Sequence, residues 1–209
     1  MSYKPRVFQI GSGTLETERK ALKEAAGILR SGGLVAFPTE TVYGLGADAT
    51  NPQAVERLNQ VKGRPPEKPY SWHLASSDQI QTLVPSIPAK ARRLMERLWP
   101  GPLTIVWPTA EGKTLGFRVP DHSVAQAFLR ACGVLVVAPS ANRAGASPAI
   151  DAATVLAAFD GDIHAVIDSG PTPLGRESTV VKVTGDGIEI LREGAIASDR
   201  IFSLLAKEE

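Results

Sequence analysis

One cysteine, Cys132, stands in 209 residues, so no disulfide can close within the chain and no cysteine-rich zinc site can be assembled. Histidine is nearly as scarce. His73, His122 and His164 share no metal-ligand spacing, and no metal ligand is expected among them. His122 follows a helix-cap signal and reads as a surface residue, whereas His73 and His164 alternate within strands and read as core residues. Neither sign of charge dominates: the net charge is +1, so no overall field draws the chain to nucleic acid or to a membrane, and any basic function must be local. Long apolar runs are missing too. The longest, "GVLVVA" at Gly133 to Ala138, is strand-sized, far short of the roughly 18 to 20 residues that cross a bilayer. The start "MSYKPRVFQI" lacks the apolar stretch of a secretory signal, so a cytoplasmic protein with no membrane partner is expected. No G-x-x-x-x-G-K-[ST] occurs, "GSGT" before the first helix lacks the third glycine of a dinucleotide fingerprint, and no G-x-S-x-G elbow supports a serine triad.

What is present is the balance of a folded α/β protein, with 43% hydrophobic and 22% charged residues. The length favours one large unit over 1–209. Leu15, Leu22, Ala25, Ala26 and Leu29 recur at helical spacing, with Thr14 as N-cap and Gly32 or Gly33 as the stop, and "LVAF" follows as a buried strand. Asn51 and Pro52 open a helix that ends at Lys62 and carries Val55, Leu58 and Val61. Further strands are predicted near Tyr70 to Ala75, Leu103 to Trp107, Leu115 to Val119, Val134 to Ala138 and Ile163 to Asp168. Helices are predicted at Ser77 to Val84, Pro88 to Leu98, from Asp121, at Asp151 to Phe159 and from Ser198. "TGDG" between Thr179–Val183 and Ile188–Arg192 signals a hairpin, so the sheet should mix parallel crossovers with at least one antiparallel pair.

Four segments could carry chemistry. "FPTETVYGLGAD" follows the first strand with two threonines, a tyrosine and two glycines free to take positive φ; taken alone it reads more simply as an irregular turn than as a ligand loop. In "VKGRPPEKP", Gly63 and the prolines hold Lys62, Arg64 and Lys68 on a stiff loop. Such a loop is either an anion clamp or a basic surface. "VVAPSANRAG" sets Ser140 and Asn142 just after a strand, where ligands gather in open α/β sheets and where a polar turn would also serve. "GRESTVV" puts Ser178 and Thr179 at the entry to another strand, a placement that strand entry alone would explain.

Taken in order, "PTETVYGLGAD", "KGRP" followed by "KP", "PGPLT", "FRVP", "PSAN" and "ESTVV" resemble the YrdC/Sua5 family of threonylcarbamoyl-AMP synthases, with the motif-bearing core at about 14–192. The resemblance implies an α/β fold with an open, twisted, mixed parallel and antiparallel sheet, flanking helices and a concave ligand cavity. It also implies the short, single-domain form of the family, without a C-terminal extension domain. The implied activity joins L-threonine, bicarbonate and ATP into L-threonylcarbamoyl-adenylate and pyrophosphate for N6-threonylcarbamoyladenosine at position 37 of tRNA. Mg2+ would enter through the ATP phosphates. Implied partners are the downstream tRNA threonylcarbamoyltransferase machinery and a weak contact with tRNA itself.

Carried onto this sequence, the resemblance makes Lys62, Arg64 and Lys68 phosphate-facing cations and puts Thr104, Asn142, Ile150 and Arg192 on the nucleotide. Thr41, His73, Arg118, Ser140 and Ser178 fall on the threonine and carbamate side, with Arg118 offering its fork to a carboxylate and the Thr41 hydroxyl reading a polar amino acid. Lys62, Arg64, Ser140 and Asn142 are the residues implied in catalysis. "YSWHLAS" departs from the family's aliphatic strand at Ser71, just before His73. Two other activities are compatible with the fold: structured-RNA binding without turnover, and carbamoyl transfer of the kind found in hydrogenase-maturation enzymes.

Overall fold

Strands with no polar face announce a sheet covered on both sides. In the computed structural model, which describes residues 4–63, 70–108, 114–185 and 187–206, "LVAF" behaves in that way. Strand β2 (Val35–Phe37) sends Val35 and Phe37 into one cluster, with Leu22, Ala25 and Leu29 of helix α1 (Leu15–Arg30) and Phe128 and Cys132 of α4 (Ser123–Cys132). Leu34 and Ala36 enter the opposite cluster, with Ala54 and Leu58 of α2 (Pro52–Lys62) and Val155 and Phe159 of α5 (Ala152–Phe159). Each fully buried Leu or Phe contributes about 1.5–3 kcal/mol, so this central sandwich dominates stability.

The remaining strands are β1 (Arg6–Gln9), β3 (Gly44–Asp48), β4 (Ser71–His73), β5 (Leu103–Pro108), β6 (Thr114–Arg118), β7 (Val136–Val137), β8 (Ala165–Asp168), β9 (Thr179–Val183) and β10 (Ile188–Arg192). They form one ten-stranded sheet in the order β1-β8-β2-β3-β7-β4-β6-β5-β9-β10 among the described residues. Pairs β1/β8, β2/β8, β4/β6 and β5/β9 run parallel. Pairs β2/β3, β3/β7, β4/β7, β5/β6 and β9/β10 run antiparallel, so the sheet is mixed as expected. Helices α3 (Ala89–Leu98) and α6 (Ser198–Ala206) share a third cluster with Trp107, Phe117 and Val181.

Caps fall where the sequence puts them: Thr14 accepts from the Thr17 amide, Asn51 from Gln53 and Ala54, and Asp151 from Thr154. Three expectations change. "GLGAD" is the buried strand β3 rather than an irregular connection, and neither Gly44 nor Gly46 has positive φ. Gly46 lies opposite Val35, and an added Cβ would meet Phe37, the Val35 carbonyl and Leu29 at 3.2–3.3 Å, so close sheet and helix packing is its purpose. His122 is no mere surface residue: half-buried, it caps α4 by accepting from the Ala125 amide at 3.4 Å. The Ser77 to Val84 segment is a 3-10 turn over Ser77–Thr82, stapled by the Gln79 side chain on the Ala75 amide.

Candidate active site

Strands β3, β4, β5, β6, β9 and β10 contribute to the lining of a cavity of about 370 Å3. Its walls come from separate elements: Ser71 and His73 of β4, Thr104 and Val106 of β5, Arg118 of β6, Val180 of β9, and Leu191 and Arg192 of β10, with Ser140 and Ser178 from loops. Register explains the arrangement. Pairing of β4 with β6 sets His73 beside Arg118 and Ser71 beside Gly116, and the small Ser71 suits a position where an added Gly116 Cβ would lie 3.1 Å from its hydroxyl. The polar departure at Ser71 therefore leaves β4 intact and His73 in the wall.

Arg118 is buried and held from behind by the loop "PTET". Its Nη2 donates to Thr41 Oγ1 at 2.8 Å and forms an ion pair with Glu40 Oε1 at 2.9 Å. Proton positions in this loop follow from counting donors. Thr39 Oγ1 donates to the Val42 carbonyl at 2.7 Å, so in the 2.8 Å contact between the two threonine hydroxyls Thr41 must donate. Thr41 then accepts from Arg118, and its only proton is already committed. Thr39 lines the cavity and Thr41 does not; the Thr41 hydroxyl sits between Thr39 and Arg118. Neither Glu40 oxygen accepts a hydrogen bond, and Arg118 Nε donates none.

His73 lies in the wall beside this pair, packed edge-on against Phe37 at 6.2 Å. Burial, reinforced by the Arg118 charge, lowers its pKa to about 3, so the imidazole is neutral. Its Nδ1 has no partner. Burial, with Asp168 nearby, pushes the Tyr43 phenol far up, and its hydroxyl donates to the Gly170 carbonyl at 2.8 Å.

On the other side Thr104 Oγ1 and Ser178 Oγ share a hydrogen bond of 2.9 Å, both side chains buried. Arg192 Nη2 donates to the Ser178 carbonyl at 2.9 Å and Nη1 to Glu177 at 2.7 Å, fixing Ser178 from the cavity rim. Gly194 N donates to Thr179 Oγ1 at 2.9 Å, bringing the chain after β10 hard against the same loop.

The loop "PSAN" closes the site. Ser140 Oγ donates to Asn142 Oδ1 at 2.6 Å, and Asn142 Nδ2 donates to the carbonyls of Arg143 and Ala146. Lys62 is buried at the end of α2 with Nζ 2.6 Å from the carbonyls of both Ser140 and Asn142. Those contacts make its ammonium a brace for the loop. Arg143 returns the link, donating to the Val61 and Ala158 carbonyls at the ends of α2 and α5 and pairing with Asp162.

Six of the expected residues thus line one cavity: His73, Thr104, Arg118, Ser140, Ser178 and Arg192. Thr41, Lys62 and Asn142 stand one contact behind it. Ile150 is 44% exposed and does not line it. Arg64 and Lys68 lie outside the described residues. Sequence reasoning did not single out Glu40, Tyr43, Arg143, Glu177 or Gly194. Glu40 alone gave a signal, as a charge inside an uncharged loop that follows a buried strand. Among the described residues no group of three or more His, Cys, Asp or Glu side chains could hold a metal ion, and no helix is long and apolar enough to cross a membrane.

A family model named for Sua5, YciO and YrdC, described as "Telomere recombination", matches residues 27–194. Threonylcarbamoyl-AMP synthase of Bacillus subtilis is 40% identical over 201 residues, covering 91% of this chain and 58% of that protein. The enzyme of the same name from Halorhodospira halophila is 36% identical, covering 73% of this chain and 88% of its own length. A crystal structure described as P. abyssi Sua5 complexed with L-threonine superposes with a TM-score of 0.88 at 36% identity, over 98% of this chain and 61% of that one. E. coli YciO shares the fold, with a TM-score of 0.80 at 23% identity over 97% and 100% of the two chains. The chain spans 58% of the length of the B. subtilis and Pyrococcus abyssi relatives. With a matched core that holds the whole cavity, the chain belongs to the Sua5/YciO/YrdC family.

Proposed function

We propose that this chain forms L-threonylcarbamoyl-adenylate and pyrophosphate from L-threonine, bicarbonate and ATP, a nucleotidyl transfer that supplies the threonylcarbamoyl group of tRNA position 37. One observation carries the reading: a buried, fully oriented arginine, Arg118, shares a small cavity with neutral hydroxyls and an uncharged imidazole. Such a set suits an amino-acid carboxylate beside a carbamate. The names of the relatives, and the threonine bound to P. abyssi Sua5, support the same substrate.

The chemistry asks little of a general base. The free amine of threonine adds to CO2 derived from bicarbonate, making the C–N bond and releasing a proton. A carbamate oxygen then attacks the α-phosphorus of ATP while the bond to the β-phosphoryl oxygen breaks and pyrophosphate leaves. Catalysis is therefore positioning and charge neutralisation. Arg118 holds the carboxylate through its planar fork, and whichever of Thr104 and Ser178 accepts in their shared hydrogen bond keeps its own proton for a carbamate or phosphate oxygen, whereas the Ser140 hydroxyl would do the same only by turning from Asn142. Arg192, with Asn142 and Ile150, would serve the nucleotide, and Arg64 and Lys68 the triphosphate. Lys62 serves by fixing the Ser140 loop. The described residues offer no carboxylate cluster for Mg2+, so the ion would arrive on the triphosphate and keep its waters, neutralising phosphate charge. The product would pass to the tRNA threonylcarbamoyltransferase machinery.

Pyrophosphate release from ATP and bicarbonate should rise by tenfold or more on adding L-threonine. Threonine-independent conversion of ATP to ADP and phosphate would contradict the proposal.

A further inference from the structure

Glu40 has no contact with the cavity, yet it is one of the most unusual groups in the protein. Its carboxylate is 8% exposed and 2.9 Å from Arg118 Nη2, while both of its oxygens lack a hydrogen-bond partner. A buried carboxylate with unmet acceptors is costly, and a neutral residue of the same shape could have packed behind Arg118 at less expense. Thr41 already orients the guanidinium at 2.8 Å. Orientation alone thus does not explain a second, charged neighbour. What Glu40 adds is charge: it cancels the cation at this end of the cavity.

We propose that Glu40 sets which anion the Arg118 end accepts, favouring a zwitterionic amino acid over phosphate. The inference rests on the proposed substrates, because such a site must take a carboxylate while phosphate groups lie in the same cavity of about 370 Å3. A bare buried arginine would attract a phosphate dianion about twice as strongly as a carboxylate, since the interaction scales with ligand charge. A carboxylate behind the arginine repels the dianion by the same scaling and acts far less on threonine as it first binds, a net-neutral zwitterion before its amine gives up a proton to react. Discrimination thus comes from a repulsive element as well as an attractive one. Glu40 is a positioning and specificity residue acting through Arg118, and Arg118 is the group that touches the ligand.

Calorimetric titration of the full chain with L-threonine and, separately, with inorganic phosphate tests the assignment. Glu40→Gln keeps the shape and removes the charge. The ratio of phosphate affinity to threonine affinity should rise at least about tenfold, with the gain on the phosphate side. A folded Glu40→Gln protein with both affinities lowered in step, or both unchanged, would overturn it. Should this variant fail to fold, Glu40→Asp retains the charge one methylene further back, and the wild-type preference should persist. Loss of that preference in the Asp variant would equally overturn the inference. If the wild-type protein binds no threonine, the substrate reading fails by itself. The phosphate arm still decides the role of Glu40, since a flat phosphate affinity between wild type and Glu40→Gln excludes it.

Discussion

His73 shows how one side chain can be fixed chemically by its surroundings. The fold holds it neutral because burial and the Arg118 cation both disfavour the imidazolium, bringing the pKa to about 3. In the unfolded chain an ordinary histidine titrates near 6.5. Above that pH neither state takes up a proton and the residue is indifferent. As pH falls from about 6.5 towards 3 the unfolded chain binds a proton that the folded one refuses, and stability drops by up to about 1.4 kcal/mol per pH unit. His122 and His164, also lowered by burial, act in the same direction. Denaturation midpoints between pH 7 and pH 4 should therefore fall less steeply for His73→Asn than for wild type. Parallel curves would mean that the imidazole is not held neutral. The sequence offered His73 as a core residue or, by resemblance, a ligand contact; it is buried in β4 and lines the cavity. Thr41 was harder to read. A hydroxyl in a loop looks the same whether it meets a ligand or an arginine from a strand 77 residues away, and only the fold distinguishes them.

At the scale of elements, the helices were largely legible because each announces itself within a few residues. Thr14, Asn51 and Asp151 are caps with apolar faces behind them. Strands β1 and β3 were not. β1 buries only Phe8 of its four residues, too little alternation to register as a pattern, and β3 carries two glycines that read as a turn. In both cases tertiary contact supplies what propensity lacks: β8 pairs with β1, and Phe37 with Leu29 packs over Gly46. Gly194 is the glycine with the clearest bearing on the site. A Cβ there would fall against the Glu177 carbonyl oxygen and the Ser178 carbonyl carbon, both backbone atoms that cannot rotate away. Gly194→Ala should cost about 1–3 kcal/mol and, by displacing Ser178, lower turnover in the protein that remains folded. Melting temperature and pyrophosphate release measured on one preparation check this. Wild-type values for both would show that the loop has slack the packing denies.

Over the whole molecule, local signals gave the mixture of parallel and antiparallel pairing but no strand order, since nothing local says that β8 inserts between β1 and β2 or that β9 joins β5. That order gathers Ser71, Thr104, Arg118, Ser140 and Ser178, scattered over more than a hundred residues of sequence, into one cavity. The resemblance of separated motifs singled out six residues of the wall. It named Thr41 and Lys62 for the ligand and missed Glu40 and Arg143, and it did not reveal that these four form a layer behind, setting the posture of the residues in front. On the proposed function, this one cavity joins an amino acid, a one-carbon unit and an adenylate. Mass analysis of the product formed from ATP, L-threonine and 13C-bicarbonate tests it most directly. The expected product is threonylcarbamoyl-AMP heavier by a single 13C than that made from unlabelled bicarbonate, formed in step with pyrophosphate. An adenylate of threonine without the labelled carbon, or ADP with no adenylate at all, would contradict it.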